Sequence, residues 1–400
     1  MANDGEGVDH DPDEEVDDGD WGDEAIPGGI AVWWAGLSTR GRQGVVGGIV
    51  AVLLVVAVVA ALVLTGGDEE VAAPPTSTTT TTEVITTTTE PDTGPVAPLT
   101  GLRIVDANRA ARPALAVKID NLDAPQESAL PQAGLPKADI VFEEIVEGNI
   151  TRLVAVFQSQ DPGNRVGPVR SARTTDIHIL PQLGRTLLAW SGGNGGVVAA
   201  VRETDSIIDL GHDRATSAYS RDRSRKAPHN LYVDADALWG FAPDEVTAPD
   251  PIFEYRHDEA MPKNAVPAPG VDITWGGGGA SSPVGWRWDP TAELYVRYQS
   301  GRIHLDETGD KIVAQNVVVL VTPYGQSPAD LRSPEALTVG SDRAFVFTNG
   351  MIVRGRWERD SDDVPATLTS DGGEVIRLTP GQTWIELPRD GGVTVSERGQ

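Results

Sequence analysis

The sequence predicts an α+β fold: a mixed α/β domain, then a mainly antiparallel β domain, preceded by one transmembrane helix. Three observations carry this. Residues 44–65, GVVGGIVAVLLVVAVVAALVLT, hold no charge and span roughly 30 Å as a helix, enough to cross a hydrocarbon core. Strand-like and helix-like runs alternate over residues 98–245. From residue 271 to 390 nearly every apolar run alternates at period two with turn signals between, the pattern of antiparallel strands with one buried face.

Taken in order, residues 1–43 carry 12 acids and 2 arginines. With so few apolar residues the segment cannot offset its ordering entropy, so a disordered acidic tail is predicted. Trp33 and Trp34 fall at the depth where aromatic rings favour the membrane interface. Arg40 and Arg42 precede the apolar run, and Asp68, Glu69 and Glu70 follow it. Basic residues stay cytoplasmic, which predicts a single-pass cell-membrane protein with its N-terminus inside and its C-terminal domains outside. A cleaved signal peptide is the alternative, but the apolar run is too long and begins too late. Residues 66–97 are rich in Thr and Pro and read as an extended linker, open to O-glycosylation.

The first domain is expected over 98–245. Residues 114–119 (ALAVKI) read as a strand. Residues 138–145 (ADIVFEEI) and 151–158 (TRLVAVFQ), joined at Gly148-Asn149, read as a β-hairpin. Residues 174–183 begin as a helix that Pro181 interrupts, and 185–190 (RTLLAW) form a further strand. The SGGNGG loop (191–196) then leads into a short helix, VVAAVRE. A Pro- and Ala-rich connection over 247–270 leads to the second domain, 271–390. Its strands are read in VDITW, WRWDP, ELYVRYQ, IVAQNVVVLVT, RAFVFTNGMIVRGRWER and EVIRLTPGQTWIEL. Turns are expected at Asp289-Pro290, Asn349-Gly350, Asp371-Gly372-Gly373 and Pro380-Gly381.

The totals exclude several classes. The chain has 400 residues, no Cys and a net charge of −27. No disulfide scaffold, thiolate nucleophile or Cys-borne lipid anchor is available. Strong negative charge repels phosphate backbones, so no nucleic-acid partner is expected. Neither an H-E-x-x-H nor a Ca²⁺-loop spacing occurs, so no metal and no cofactor is expected.

Several stretches together resemble a bacterial family, the YerB-like proteins of the DUF3048 domain family. They are PLTGL (98–102), ALAVKIDN (114–121), ADIVFEEIVEGNITRLVAVFQSQ (138–160), VGPVRSAR (166–173), SGGN (191–194), DLGHDRA (209–215) and APHNLY (227–232). AQNVVVL (314–320) and PGQTWIEL (380–387) resemble the family's separate C-terminal domain. The resemblance implies an extracytoplasmic, membrane-tethered protein, often a lipoprotein. This chain departs from that pattern by offering an apolar helix in place of a lipid-bearing Cys. The resemblance implies no activity.

For chemistry, Arg170 and Arg173 flank Ser171 after the Gly167-Pro168 turn. Two guanidiniums three residues apart can converge on a carboxylate or phosphate. Asp120, Asn194 of the Gly-rich loop and Asn230 complete the expected ligand-binding set, and Arg225 and Lys226 could add to it. The competing reading pairs these arginines internally with Glu143, Glu144 and Glu147. Adjacent Glu143 and Glu144 point to opposite faces of their strand, so only one can join a given site. Either could serve a glycan-cleaving acid/base role, with His229 as the general-base candidate. Exposed strand carboxylates and a packed histidine are the plainer alternatives. Trp275, Trp286, Trp288, Trp357 and Trp384 could platform sugars or fill a core.

Three function classes follow. The first is binding of a cell-wall component, such as an anionic polymer, or of an envelope protein through an Arg-lined cleft. The second is a cell-wall-active enzyme. The third is a scaffold for division or wall-synthesis machinery.

Overall fold

Alternation along Leu115–Asp120 sends Leu115, Val117 and Ile119 to one side and Ala116, Lys118 and Asp120 to the other, and all six are buried. This strand, β1, therefore lies inside a sheet covered on both faces. The computed structural model describes residues 94–104, 106–276 and 282–396. They belong to a compact unit that runs Thr87–Gln400. The expected tail 1–43, the span 44–65 and nearly all of the linker 66–97 fall outside the described residues. Among the described residues no helix is long and apolar enough to cross a membrane.

After β1 come a short hairpin, β2 (Asp123–Ala124) and β3 (Glu127–Ser128), then β4 (Ile140–Ile145) and β5 (Thr151–Phe157). Next are β6 (Thr186–Ala189), β7 (Ile207–Asp209), β8 (Tyr219–Arg221) and β9 (Leu231–Val233). The helices are short: α1 (Ala107–Ala111), α2 (Thr174–Ile179), α3 (Gly195–Glu203) and α4 (Ala235–Trp239). The second stretch supplies β10 (Val266–Pro267), β11 (Gly270–Ile273), β12 (Val284–Asp289), β13 (Leu294–Gln299), β14 (Arg302–Ile303) and β15 (Val313–Ala314). It continues with β16 (Asn316–Leu320), β17 (Tyr324–Ser327), β18 (Asp330–Ala336), β19 (Gly340–Thr348) and β20 (Met351–Arg359). The last three are β21 (Thr367–Ser370), β22 (Thr383–Glu386) and β23 (Val393–Ser396).

The described chain is mostly β, with few helices and mixed sheets. The main sheet has 11 strands in the order β10-β20-β19-β16-β22-β4-β5-β1-β6-β7, with β21 beside β20. Its midpoint is a parallel junction: Trp384 of β22 pairs with Val141 of β4, and Glu386 with Glu143. The two stretches that the sequence separates thus share one sheet. A second sheet of 6 strands, β14-β13-β12-β11-β23 with β15 on β13, covers one face. Val271, Ile273, Trp275, Trp286 and Tyr295 pack there with Val117, Leu153 and Trp384. On the opposite face Ile179, Val197 and Val201 of α2 and α3 pack over Ala116, Val154 and Val156.

Several expected elements stand where local pattern puts them. The hairpin β4–β5 pairs Glu144 with Arg152. The Asn349-Gly350 turn has positive φ at both residues, 50° and 69°, as the two-residue turn joining β19 to β20 requires. One expectation is corrected and one open alternative is decided. Of EVIRLTPGQTWIEL only Thr383–Glu386 is a strand, while Val375 and Leu378 make isolated bridges. Trp275, Trp286, Trp357 and Trp384 are buried core side chains, unavailable as a sugar platform.

Candidate functional site

The segment VGPVRSAR lies extended between the ends of β1 and β9. Asp120 N donates to Pro168 O at 2.9 Å, Arg170 N to Lys118 O at 2.8 Å and Val169 N to Leu231 O at 2.6 Å. Gly167 adopts φ +149°, and a Cβ there would meet Leu231 O at 2.8 Å. Only glycine fits this approach. The segment ends at α2, where the Asp176 carboxylate accepts from Arg173 N at 2.7 Å and caps the first turn.

Beneath it a charged row crosses three strands on one face. Register aligns Glu144 of β4 with Arg152 of β5, and Arg152 with Asp120 of β1. Asp120 Oδ1 accepts from Arg152 Nη1 at 2.6 Å. Its Oδ2 meets Arg170 Nε at 3.0 Å and His229 Nδ1 at 2.6 Å. Burial alone would raise this carboxyl, but the His229 hydrogen bond and the two guanidiniums hold it well below the usual range. Lys118, two residues back, reaches Glu144 and, at 2.7 Å, Asp176. Burial pushes Glu144 up to about 7 against the pull of Lys118, with Asp176 adding repulsion. The Arg152 guanidinium is lowered to about 10 by burial.

On the other face Glu143 Oε2 accepts from Arg297 Nη2 at 2.6 Å, and its Oε1 from Asn121 at 3.0 Å and Thr151 at 2.7 Å. The Glu386 carboxyl lies against Glu143 and accepts from Trp286 Nε1 at 2.8 Å. Burial, then the Glu143 charge, raise Glu386 well above its ordinary value. Arg297 also contacts His304 and Gln299. Burial and the guanidinium keep His304 neutral by lowering its pKa strongly.

An open cleft of about 690 Å³ lies beside the row, lined by Glu147, Ser171, Arg173, Gly193, Asn194, Asp330 and Arg332 among others. Arg173 grips Glu147 through Nε at 2.9 Å and Nη2 at 2.5 Å. Burial would raise Glu147, but Arg173 and Ser333 hydrogen bonds outweigh it and hold it below the usual glutamate range. The Gly-rich loop leans on Ser171, since a Cβ on Gly192 would stand 3.0 Å from its Oγ. Asn194 accepts from Val197 N at 2.9 Å, capping α3, and donates to Asp330 at 2.9 Å. Arg332, on β18, has an 87% exposed side chain, and its hydrogen bonds among the described residues go to Asp330.

The sequence-selected residues therefore fall into distinct places. Ser171, Arg173 and Asn194 meet in the cleft. Asp120, Arg170 and His229 meet above β1. Glu143 and Glu144 are fully buried and face opposite ways. Each is committed to its own cation, and His229 is set against Asp120. Asn230 binds the carbonyls of Asp222 and Arg225 and accepts from Arg221. Arg225 turns inward to the carbonyls of residues 128–131 and to Tyr232 Oη at 2.5 Å. Sequence reasoning missed Lys118, Arg152, Arg297, Glu386 and Arg332. A usable signal for the first two was a lone cation inside an otherwise apolar strand, which demands a buried partner.

The profile described as Protein of unknown function (DUF3048) N-terminal domain matches residues 99–248, and that of the DUF3048 C-terminal domain matches 271–385. The chain is 30% identical over 301 residues to YerB of Bacillus subtilis (strain 168), whose name proposes a lipoprotein. The match covers 74% of this chain and 86% of YerB. It is also similar to the crystal structure of YerB from Bacillus subtilis, with a TM-score of 0.64 and 27% identity over 76% of this chain and 99% of that one. These matches place the chain in the DUF3048 family.

Proposed function

We propose that this is a single-pass membrane protein whose α+β portion stands outside the cytoplasm. There it binds a cell-envelope component, an anionic wall polymer or an envelope protein, through the Ser171–Arg173–Asn194 cleft. The relative named as a lipoprotein supports an envelope setting. Here the apolar run 44–65 would replace the lipid as the anchor. The observation that carries the binding reading is convergence: Ser171 and Arg173 of the 166–173 segment and Asn194 of the Gly-rich loop line one open cleft. Arg173 is largely buried and gripped by Glu147, whereas Arg332 is 87% exposed and holds Asp330 by a single 3.3 Å contact, so Arg332 supplies the guanidinium for an incoming anionic group. The glycan-cleaving reading has less support, since its two glutamates are sealed on opposite faces of the sheet.

The test uses the full chain in detergent micelles. Purified peptidoglycan, with and without its anionic polymer, should sediment the wild-type protein, and Arg332→Ala should abolish most of that. Equal sedimentation of both forms would refute the cleft. Protease added outside intact cells should reach residues beyond 97, and protection there would refute the orientation.

A further inference from the structure

His229 poses a question that the cleft does not answer. Its ring is 3% exposed, and Nδ1 is bound to ionised Asp120 at 2.6 Å. That bond places a proton on Nδ1 and turns Nε2 toward the hairpin β2–β3. Nε2 lies 3.1 Å from Glu127 Oε1 yet makes no aligned hydrogen bond. Lys226 Nζ stands 4.0 Å from the same oxygen, with its side chain 78% exposed. Arg170 shares the Asp120 oxygen with His229, and its terminal nitrogens make no hydrogen bond among the described residues. Without Glu127, Arg152 and Arg170 share Asp120, with Glu147 also acting on Arg152, and the ion pair to Lys226 is lost.

Glu127 is a poor permanent partner for such a site. Its side chain is 37% exposed. It rides on a hairpin of two two-residue strands whose tip, Pro125-Gln126, is exposed. Paired ribbons this short have little stability of their own. This one is tied at its base through Asp123 to Arg302 and Ser300 and through the Ser128 carbonyl to Arg225, so the movable part is the Glu127 side chain itself. The rest of the site is rigid: His229 is locked by Asp120, Asp120 by Arg152, and Arg170 by the threading of residues 166–173.

We propose that Glu127 is an internal stand-in for the carboxylate of an external ligand. The site of His229, Arg170 and Lys226 takes a carboxylate-bearing ligand when the Glu127 side chain turns away. This site is separate from the Ser171–Arg173–Asn194 cleft and does not depend on that reading.

The chain has 6 histidines, so full-length protein labelled with ¹⁵N only in histidine rings gives a small spectrum. The variant Glu127→Ala empties the position, and propionate replaces the missing carboxylate. We expect propionate to shift the His229 Nε2 resonance in Glu127→Ala with an affinity at least tenfold above that of wild type. The assignment comes from the signal lost in His229→Gln. Should His229→Gln not fold, the resonance that changes between wild type and Glu127→Ala identifies the ring. Equal affinities in the two proteins, or a His229 ring unmoved by propionate, would overturn the proposal. A ring that answers inorganic phosphate but not propionate would overturn the carboxylate assignment.

Discussion

Glu143 and Glu386 lie in register across the parallel junction of β4 and β22, with both carboxyls fully buried. Two like charges cannot both persist in so dry a place, and the upward displacement of Glu386 assigns it the proton. Arg297 then balances Glu143 alone. Removing one partner of a buried pair strands the other, at a cost of about 3–5 kcal/mol. Arg297→Ala is expected to lose stability on that scale, whereas Glu386→Gln, which keeps a neutral side chain, should stay within about 1 kcal/mol of wild type. Urea denaturation of both variants measures the contrast, and similar losses would contradict the proton assignment.

Glu144 makes stability depend on pH. Its folded-state pKa of about 7 lies above the ordinary 4.5. The folded chain thus keeps a proton that the unfolded chain releases, and this contribution is fully present below 4.5. It is lost as pH rises through 7, so stability declines over that window. Asp120, held low, acts with the opposite sign but only in acid below its ordinary 3.8. Denaturation midpoints between pH 4.5 and 8 should fall more steeply in wild type than in Glu144→Gln. Parallel curves would show that Glu144 ionises normally.

Gly167→Ala tests the threading of residues 166–173. The substitution adds a Cβ 2.8 Å from the Leu231 carbonyl at a φ of +149°. The backbone on both sides is pinned to β1 and β9 and cannot yield. A loss of at least about 2 kcal/mol is expected, seen as a lower melting temperature together with altered His229 resonances.

Arg332→Ala separates binding from folding. An 87% exposed side chain contributes little to stability, so unfolding should change by no more than about 0.5 kcal/mol. Affinity for the proposed envelope ligand should drop about tenfold, roughly 1.4 kcal/mol. Equilibrium binding and denaturation on the same preparation measure both quantities.

Much of the fold was legible because its signals are local. Period-two alternation marks β20, short largely apolar runs mark β1, β4, β5 and β16, and Asn349-Gly350 marks its own turn. The pairing of β22 with β4 has no such signal, since it joins residues some 240 positions apart through backbone groups that every residue carries. The charged row was half legible. The opposite facing of Glu143 and Glu144 follows from strand geometry alone, but their partners Arg297 and Lys118 arrive through tertiary packing. Arg225 misled because an arginine beside Lys226 reads as a further anion ligand, whereas its fork fits the carbonyls of a neighbouring turn.

The central position of β22 sets an order of events during synthesis. This strand sits between β16 and β4, yet it leaves the ribosome after both of them. Until it arrives, β4 and β16 each present an unpaired edge, the sort of surface on which nascent chains stick to one another. A message truncated before residue 383 would therefore yield a cohesive, aggregating fragment in place of a shortened but working protein.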